Sequence, residues 1–410
     1  MLDRSKSRPT RIGLALAGGG PEGAIYEIGA LRALEESIEG LDLNDLEIYV
    51  GVSAGSFIGA SLANQITSKQ MCRAIVSHDP GMHPFTPRTL FSPALGEWAR
   101  SALGAPRQAL RAVSRLLERP GDSTVLGSLA TLSRALPVGL FDNEPIRAYL
   151  HDSFTRRTRT DDFRSLMRKL IVVAADLDSG EAVRFGSPGQ DHVPISLAVQ
   201  ASTALPGVYP PVLIDGRYYV DGVLLKTLHA SVALDEGLDL FIGINPIVPV
   251  DTVHTVEHGI MRRGKLIDRG LLTVLSQTFR TMIHSRMVGG FATYAARYPD
   301  TSILLLEPRR TDYRMFFTNI FSFRSRRDTC EHAYRSTRDY LRQHQEKLGP
   351  MLASHGLTLR TDMLKDEHRD LWRGVGLDGP ASAAPVTRRL HDLLDRLDDL
   401  LDAPEDVRVL

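Results

Sequence analysis

Short apolar runs alternate with amphipathic stretches at the N-terminal end of this chain. Ile12 to Ala17 is a continuous apolar run that predicts a buried strand, and Ala24 to Glu36 carries apolar residues at helical spacing. Leu46 to Val50 predicts a second strand, and the small and apolar residues from Phe57 to Ala63 predict a second helix. This alternation indicates an α/β fold with a parallel sheet, whose strand-end loops gather at one edge.

The same criteria predict further strands and helices along the rest of the chain. The predicted strands are Leu170–Ala175, Ala182–Phe185, Val212–Ile214, Arg217–Val220, Phe241–Asn245 and Ser302–Leu306. The predicted helices are Pro194–Ala204, Leu271–Met287 and Glu331–Gln345. Asp215 and Gly216 stand alone between two of these strands, so they predict a hairpin with a two-residue turn.

The pattern changes between residues 78 and 137, where prolines interrupt the chain before a helical stretch from Pro106 to Glu118. Arginines recur at every fourth position there, and apolar residues occupy another face of the predicted helix. These arginines are Arg107, Arg111, Arg115 and Arg119. Such a helix is either a solvated surface helix of a lid-like insertion or a contact for anionic lipid headgroups.

Two stretches near the C-terminus have their own composition. The aromatic-rich segment from Met315 to Phe323 predicts core packing, because large aromatic side chains are usually buried, and contact with lipid is the alternative. Residues 379–385 have the composition of a linker, and leucines at helical spacing predict an acidic amphipathic helix at residues 387–402.

Composition narrows the class of protein. The 410 residues, 43% of them hydrophobic, suffice for one large α/β domain or two smaller ones. The 49 basic and 49 acidic residues balance, so nucleic acid is not an expected partner. Two cysteines make neither a disulfide framework nor a metal site, which favours a reducing compartment. Because the sequence shows neither a secretory signal nor a long apolar span, we expect a cytoplasmic protein, with peripheral membrane binding left open.

The sequence Gly51-Val52-Ser53-Ala54-Gly55 lies between the second predicted strand and the second predicted helix. Two glycines allow a sharp turn from strand to helix, which lifts the serine hydroxyl out of the sheet, and the positive end of the helix points at it. Ser53 is therefore a candidate nucleophile, with Gly51 and Gly55 as its elbow glycines. The alternative is a tight turn made of small residues.

A glycine-rich turn, Gly18-Gly19-Gly20-Pro21-Glu22-Gly23, follows the first predicted strand. Its spacing matches a dinucleotide-binding fingerprint, but that motif needs an acidic residue at the end of the next strand, where this chain has Ser53. A phosphate-binding loop of the P-loop type would need a lysine after the glycines. The amides of Gly18, Gly19 and Gly20 can instead form an oxyanion hole, in which one donor is worth about 2.7–4 kcal/mol.

Asp221 is the best candidate for the base that Ser53 needs. It directly follows a predicted strand, whereas Asp215 lies in a hairpin turn. An aspartate is a weak base in water, but it can accept the serine proton in a water-poor site whose donors stabilise the anion. None of the histidines lies in a motif that marks it as the base. A simple turn is the alternative for Asp221-Gly222.

In their order along the chain, the glycine-rich turn, the Ser53 elbow and Asp221-Gly222 resemble the patatin-like phospholipase family. The segments Asp176–Glu181 and Ala201–Pro206 are similar to family segments between the elbow and the aspartate. The resemblance spans Arg11 to Leu225. It implies a three-layer α/β/α fold with a mostly parallel central sheet and a helical insertion.

The resemblance also implies a lipid acyl hydrolase. Ser53 would attack an ester carbonyl, Asp221 would take its proton, and the amides of Gly18, Gly19 and Gly20 would hold the oxyanion. The expected substrate is a phospholipid or another lipid ester, and neither a metal nor an organic cofactor is implied. Because family members act at lipid interfaces, membrane contact through the four arginines gains support. A catalytically silent lipid-binding or scaffolding protein of the same fold is the alternative.

The resemblance predicts a catalytic domain at residues 11–350, with its motif-bearing core at 11–225, and a C-terminal extension at 351–410. Two positions depart from the family pattern. Glu22 stands where members usually carry Arg or Lys, and Val223 stands where Gly or Ala is frequent. A carboxylate that points toward an oxyanion site opposes negative charge there, so lower activity or a different substrate would follow if Glu22 points inward.

Overall fold

The computed structural model describes residues 9–76, 85–96, 98–99, 137–156, 158–253, 266–312 and 323–377. Within them the strands are β1 (Ile12–Leu16), β2 (Ile38–Glu39), β3 (Ile48–Val52), β4 (Ser92–Pro93), β5 (Phe141–Asp142), β6 (Lys169–Asp176), β7 (Ala182–Phe185), β8 (Val212–Ile214), β9 (Arg217–Asp221), β10 (Leu240–Ile244), β11 (Ser302–Leu306) and β12 (Thr358–Leu359). The α-helices are α1 (Gly20–Ser37), α2 (Ala54–Ala63), α3 (Ser68–Met71), α4 (Pro87–Leu90), α5 (Glu144–Phe154), α6 (Ile195–Ser202), α7 (Ala230–Leu234), α8 (Leu271–Arg297), α9 (Phe323–Gln343), α10 (Gln345–Ser354), α11 (Thr361–Lys365) and α12 (Leu371–Gly374).

The central sheet of the described structure has the strand order β11-β10-β1-β3-β6-β9-β8, and β7 pairs with β6. Strands β11, β10, β1, β3 and β6 run parallel to their neighbours, whereas β7, β8 and β9 pair antiparallel. The expected mostly parallel sheet is therefore confirmed. Because β1 and β3 are parallel neighbours, the loops that follow them meet at one edge of the sheet.

The two faces of the sheet belong to two hydrophobic cores. Alternate residues of a strand point to opposite faces, so Leu14 and Leu16 lie in one core while Ala15 and Ala17 lie in the other. Helices α1, α2 and α9 cover the first face, and α7 and α8 cover the second. The structure thus has the three-layer α/β/α fold expected from the sequence.

Several element bounds differ from the sequence prediction in ways that matter for the site. Helix α1 begins at Gly20 and not at Ala24, so the glycine-rich turn leads directly into the helix. Strand β3 is displaced toward the elbow and includes Gly51, which pairs with Val172 of β6. Helix α8 continues past the predicted end at Met287.

Several predicted segments lie outside the described residues. The hydrophobic core also includes residues that the sequence assigned to the C-terminal extension. The basic helix with its four arginines, most of the aromatic-rich segment, the linker at 379–385 and the helix at 387–402 lie outside the described residues. Residues 351–377, which the sequence assigned to the C-terminal extension, place Leu352, Leu371 and Val375 in the same core as α1.

Candidate active site

Ser53 occupies a strained turn between β3 and α2. Its backbone has φ 52° and ψ −125°, a combination that non-glycine residues rarely adopt and that often marks a functional site. The flanking glycines are needed because the chain is crowded there. A Cβ atom at Gly51 would lie 2.4 Å from the Cα of Ser56, and one at Gly55 would lie 2.3 Å from the carbonyl oxygen of Leu16. The turn therefore places a buried serine at the N-cap of α2, at the positive end of that helix.

The hydroxyl of Ser53 donates a hydrogen bond of 2.6 Å to Oδ2 of Asp221, which lies 168 residues away in sequence. The other carboxylate oxygen, Oδ1, accepts a hydrogen bond of 2.9 Å from the amide of Val223. Asp221 is 1% exposed, and burial raises its pKa to about 7, while the bonds from Ser53 and Val223 oppose that rise. A carboxylate with this pKa can accept a proton from serine near neutral pH.

The amides of the glycine-rich turn lie beside this pair. A Cβ atom at Gly18 would be 3.2 Å from the Cβ of Ser53, so the expected proximity of turn and elbow is confirmed. The Gly18 amide donates a long hydrogen bond of 3.4 Å to the carbonyl of Thr227. Within the described part of the chain, the amides of Gly19 and Gly20 have no acceptor, and Gly20 opens α1, where helix geometry leaves the first N–H groups unbonded.

Ser202, at the end of α6, holds the elbow in place. Its hydroxyl accepts a hydrogen bond of 2.8 Å from the amide of Ser53 and donates one of 2.6 Å to the carbonyl of Val173 on β6. The sequence analysis did not single out this residue, although it lies inside the segment Ala201–Pro206. The similarity of that segment to the family was the signal that could have found Ser202. The contact itself depends on how α6 packs against the sheet.

His229 lies close to Asp221 in the sequence, but it does not hydrogen-bond to Ser53. The ring of His229 is buried, and its Nε2 lies 3.4 Å from the carbonyl oxygen of Gly222. Burial lowers the pKa of His229 to about 4. Across the residues that the structure describes, no histidine ring lies within hydrogen-bonding distance of Ser53 or Asp221.

Glu22 points toward α8, where it meets Arg280. The Oε2 atom of Glu22 lies 3.9 Å from Nη2 of Arg280. Burial raises the pKa of Glu22 to about 7, and the positive charge of Arg280 acts in the opposite direction. Burial also lowers the pKa of Arg280, against the effect of Glu22. The carboxyl group that departs from the family pattern is therefore paired with an arginine of another helix.

Residues 14–234 match the family model described as patatin-like phospholipase. This match covers more than half of the 410 residues. The chain belongs to the patatin-like phospholipase family. Ser53, Asp221 and the glycine-rich turn all fall inside the matched range, which agrees with the resemblance seen in the sequence.

Solved structures similar to this patatin-like chain are distant from it. VipD from Legionella pneumophila is 20% identical, with a TM-score of 0.32, over 62% of this chain and 53% of VipD. Full-length ExoU of the Pseudomonas aeruginosa type III secretion system, in complex with SpcU, is 20% identical, with a TM-score of 0.26, over 48% of this chain and 39% of ExoU. Another structure of the type III effector ExoU is 15% identical, with a TM-score of 0.29, over 97% of this chain and 71% of that one. The match thus spans about half the length of VipD and less of full-length ExoU.

Val223, the second departure from the family pattern, lies against the glycine-rich turn. A Cβ atom at Gly18 would lie 2.9 Å from Cγ2 of Val223, so the valine side chain packs against the glycine-rich turn.

Among the described residues, no cluster of three or more His, Cys, Asp or Glu side chains is arranged to hold a metal ion. No helix in those same ranges has the length and apolarity to cross a bilayer.

Proposed function

We propose that this chain is a lipid acyl hydrolase that cleaves carboxylic esters of phospholipids or related lipids through a Ser53–Asp221 dyad. The observation that carries the proposal is the 2.6 Å hydrogen bond from Ser53 to a buried aspartate beside a glycine-rich turn. Membership of the patatin-like phospholipase family supports a lipid ester as the substrate class.

In the first half-reaction, Oγ of Ser53 bonds to the carbonyl carbon of the ester while its proton moves to Oδ2 of Asp221. The carbonyl oxygen becomes an oxyanion, and the amides of Gly19 and Gly20, with Gly18 beside them, donate hydrogen bonds to it. When the tetrahedral intermediate collapses, the bond to the alcohol oxygen breaks. Asp221 returns the proton to that oxygen, which releases a lysolipid and leaves an acyl group on Ser53.

In the second half-reaction, water attacks the acyl carbonyl while Asp221 accepts one of its protons. The bond between the acyl carbon and Oγ then breaks, Ser53 regains a proton from Asp221, and the fatty acid leaves. The pKa of Asp221, which burial raises to about 7, suits both directions of transfer because the group can gain and lose a proton near neutral pH.

Covalent labelling with a fluorophosphonate tests the nucleophile. We expect the wild-type chain to be labelled and Ser53→Ala to remain unlabelled. Ser56→Ala is a matched control, because its hydroxyl lies one helical turn away and bonds to the carbonyl of Ser53. Hydrolysis of a mixed phospholipid extract should then release fatty acid from the wild type and not from Ser53→Ala or Asp221→Asn. Substantial turnover by Asp221→Asn would reject the dyad.

A catalytically silent lipid-binding protein is the second candidate, and Glu22 is the observation that favours it. A carboxylate near an oxyanion site opposes the charge that develops there. The absence of fluorophosphonate labelling in a wild-type chain that still binds phospholipid vesicles would support this candidate over the hydrolase.

A further inference from the structure

The N-terminal half of α8 carries several exposed apolar side chains. Five of them form one stripe at helical spacing, which we call the apolar stripe: Leu271, Val274, Leu275, Phe279 and Met282. Leu271 is 71% exposed, Phe279 is 50% exposed and Met282 is 49% exposed. Single exposed apolar residues are normal on a protein surface, but a contiguous stripe of this kind usually marks an interaction site.

The opposite side of α8 faces the protein and fixes the helix in this orientation. Gln277 accepts a hydrogen bond of 3.1 Å from the amide of Val250 and donates one of 2.7 Å to its carbonyl. Further along, Phe291 and Tyr294 pack into the core on the second face of the sheet. Turning the stripe inward would break these contacts, so its exposure follows from the way the helix is anchored.

The same helix borders the proposed catalytic pair. Arg280 faces Glu22 of the glycine-rich turn. Arg286 donates a hydrogen bond of 3.3 Å to the carbonyl of Leu224, three residues after Asp221. The apolar stripe therefore lies on the outer side of a helix whose other contacts reach the glycine-rich turn and the segment that follows Asp221.

The charges of α8 have one sign. Between Leu271 and Arg297 the helix has three arginines and a histidine, and it has neither Asp nor Glu, although Asp268 precedes it and Asp300 follows it. Arg280 faces Glu22 and Arg297 pairs with Asp235, whereas Arg286 is exposed. An apolar helix face with an exposed arginine on the same helix, and without carboxylates of its own, suits insertion at the boundary between anionic headgroups and acyl chains.

We propose that the apolar stripe of α8 docks the protein onto an anionic lipid bilayer, with Leu275 and Phe279 in the acyl boundary and Arg286 at headgroup level. The proposal rests on the proposed function, since a site for lipid esters receives its substrate from such a surface. It concerns α8 and is independent of the basic stretch at residues 106–118.

Sedimentation with vesicles tests the docking surface in a Ser53→Ala background, so that binding is measured without hydrolysis. The probes are vesicles of phosphatidylcholine alone and of phosphatidylcholine with phosphatidylserine. We expect the double substitution Leu275→Ser and Phe279→Ser to weaken binding to the anionic vesicles by at least about tenfold, because two large apolar groups no longer leave water. The matched control is Met167→Ser with Leu213→Ser, which removes exposed apolar groups elsewhere on the surface.

Three results would overturn the proposal: unchanged vesicle binding by the double variant, an equal loss in the control, or a change of oligomeric state in the double variant without vesicles. The last result would make the stripe an interface between copies of this chain. In the catalytically intact background, the double variant should hydrolyse a soluble short-chain ester at the wild-type rate. If the wild type hydrolyses no ester but the vesicle result holds, the proposed function fails while the docking surface stands.

A fluorescent reporter keeps the test decisive if the variant with Leu275→Ser and Phe279→Ser folds poorly. Phe279→Trp retains an aromatic side chain at the centre of the stripe. Its added tryptophan emission should shift to shorter wavelength with anionic vesicles and stay unshifted with buffer. An unshifted emission under conditions where the protein sediments with vesicles would place the contact elsewhere.

Discussion

The Oε2 atom of Glu22 lies 3.9 Å from Nη2 of Arg280, so the glycine-rich turn and α8 face each other through opposite charges. Family members usually carry a positive residue on the turn itself, whereas in this chain the positive residue comes from a helix more than 250 positions later. In this chain the turn therefore carries a carboxyl group whose pKa burial raises to about 7, and an arginine of α8 faces it.

Replacing Glu22 with Gln should raise activity at alkaline pH. Below the pKa of about 7 the carboxyl group is neutral, so the substitution should change kcat/KM little at pH 6. Above it, the wild type has a carboxylate on the turn whose amides are proposed to hold the oxyanion, and its removal should raise kcat/KM roughly three- to tenfold at pH 8.5. The measurement is hydrolysis of an uncharged soluble ester, with Glu181→Gln in an exposed turn as control. If the ratio of kcat/KM for Glu22→Gln to kcat/KM for the wild type is the same at pH 6 and pH 8.5, the charge of Glu22 does not act on the reaction.

The pH dependence of ester hydrolysis should report Asp221. As the proposed base, it must be deprotonated to accept the serine proton, and burial raises its pKa to about 7. In the Glu22→Gln background, where that carboxyl group no longer titrates, kcat/KM for a neutral ester should rise with pH and level off above about pH 8. A profile already flat from pH 5 upward would mean that the base has an ordinary aspartate pKa.

Ionisation of Asp221 should also lower the free energy of unfolding as pH rises. Its pKa is raised from 3.8 to about 7 in the folded chain, so the unfolded chain loses this proton first, and the stabilising contribution present at acid pH is lost as pH approaches 7. Asp221→Asn does not titrate. Its free energy of unfolding relative to wild type should therefore increase by roughly 2 kcal/mol between pH 5 and pH 8.

Urea unfolding at the two pH values measures this difference. Asp178→Asn, in the exposed turn between β6 and β7, controls for removal of a negative charge alone. If both variants show the same pH-dependent gain, the effect belongs to net charge and not to burial of Asp221.

Ser202→Ala should impair catalysis through the position of Ser53. The substitution leaves the buried amide of Ser53 without its acceptor, which should cost about 1–3 kcal/mol of stability. With the elbow less constrained, kcat should fall about tenfold or more while KM changes little, because the lost interaction does not bind substrate. Ser61→Ala is the matched control, since its buried hydroxyl bonds only within α2. A proportional rise in KM with kcat unchanged would contradict a positioning role.

The elements closest to the chemistry were readable from local sequence. Gly51 and Gly55 around Ser53 predict a sharp turn because only glycine tolerates the backbone contacts of 2.3–2.4 Å that a Cβ atom would make there. The alternation of apolar runs predicted the central strands, since a strand buried on both faces needs apolar residues throughout. The assignment of Asp221 as partner of Ser53 needed the order of the motifs, because a lone Asp-Gly reads equally well as a turn.

The sequence by itself thus determined the strands of the central sheet, the elbow and the family, all of which depend on backbone geometry and on the spacing of residue types along short segments. The tertiary structure alone decided that Ser202 holds the amide of Ser53, that Arg280 faces Glu22 and that the apolar stripe of α8 points outward. These relationships join segments separated by 149 to 258 residues, or depend on which face of a helix its anchoring contacts turn inward. Helical periodicity reveals that a face is apolar, but only packing against the rest of the chain determines whether that face is buried.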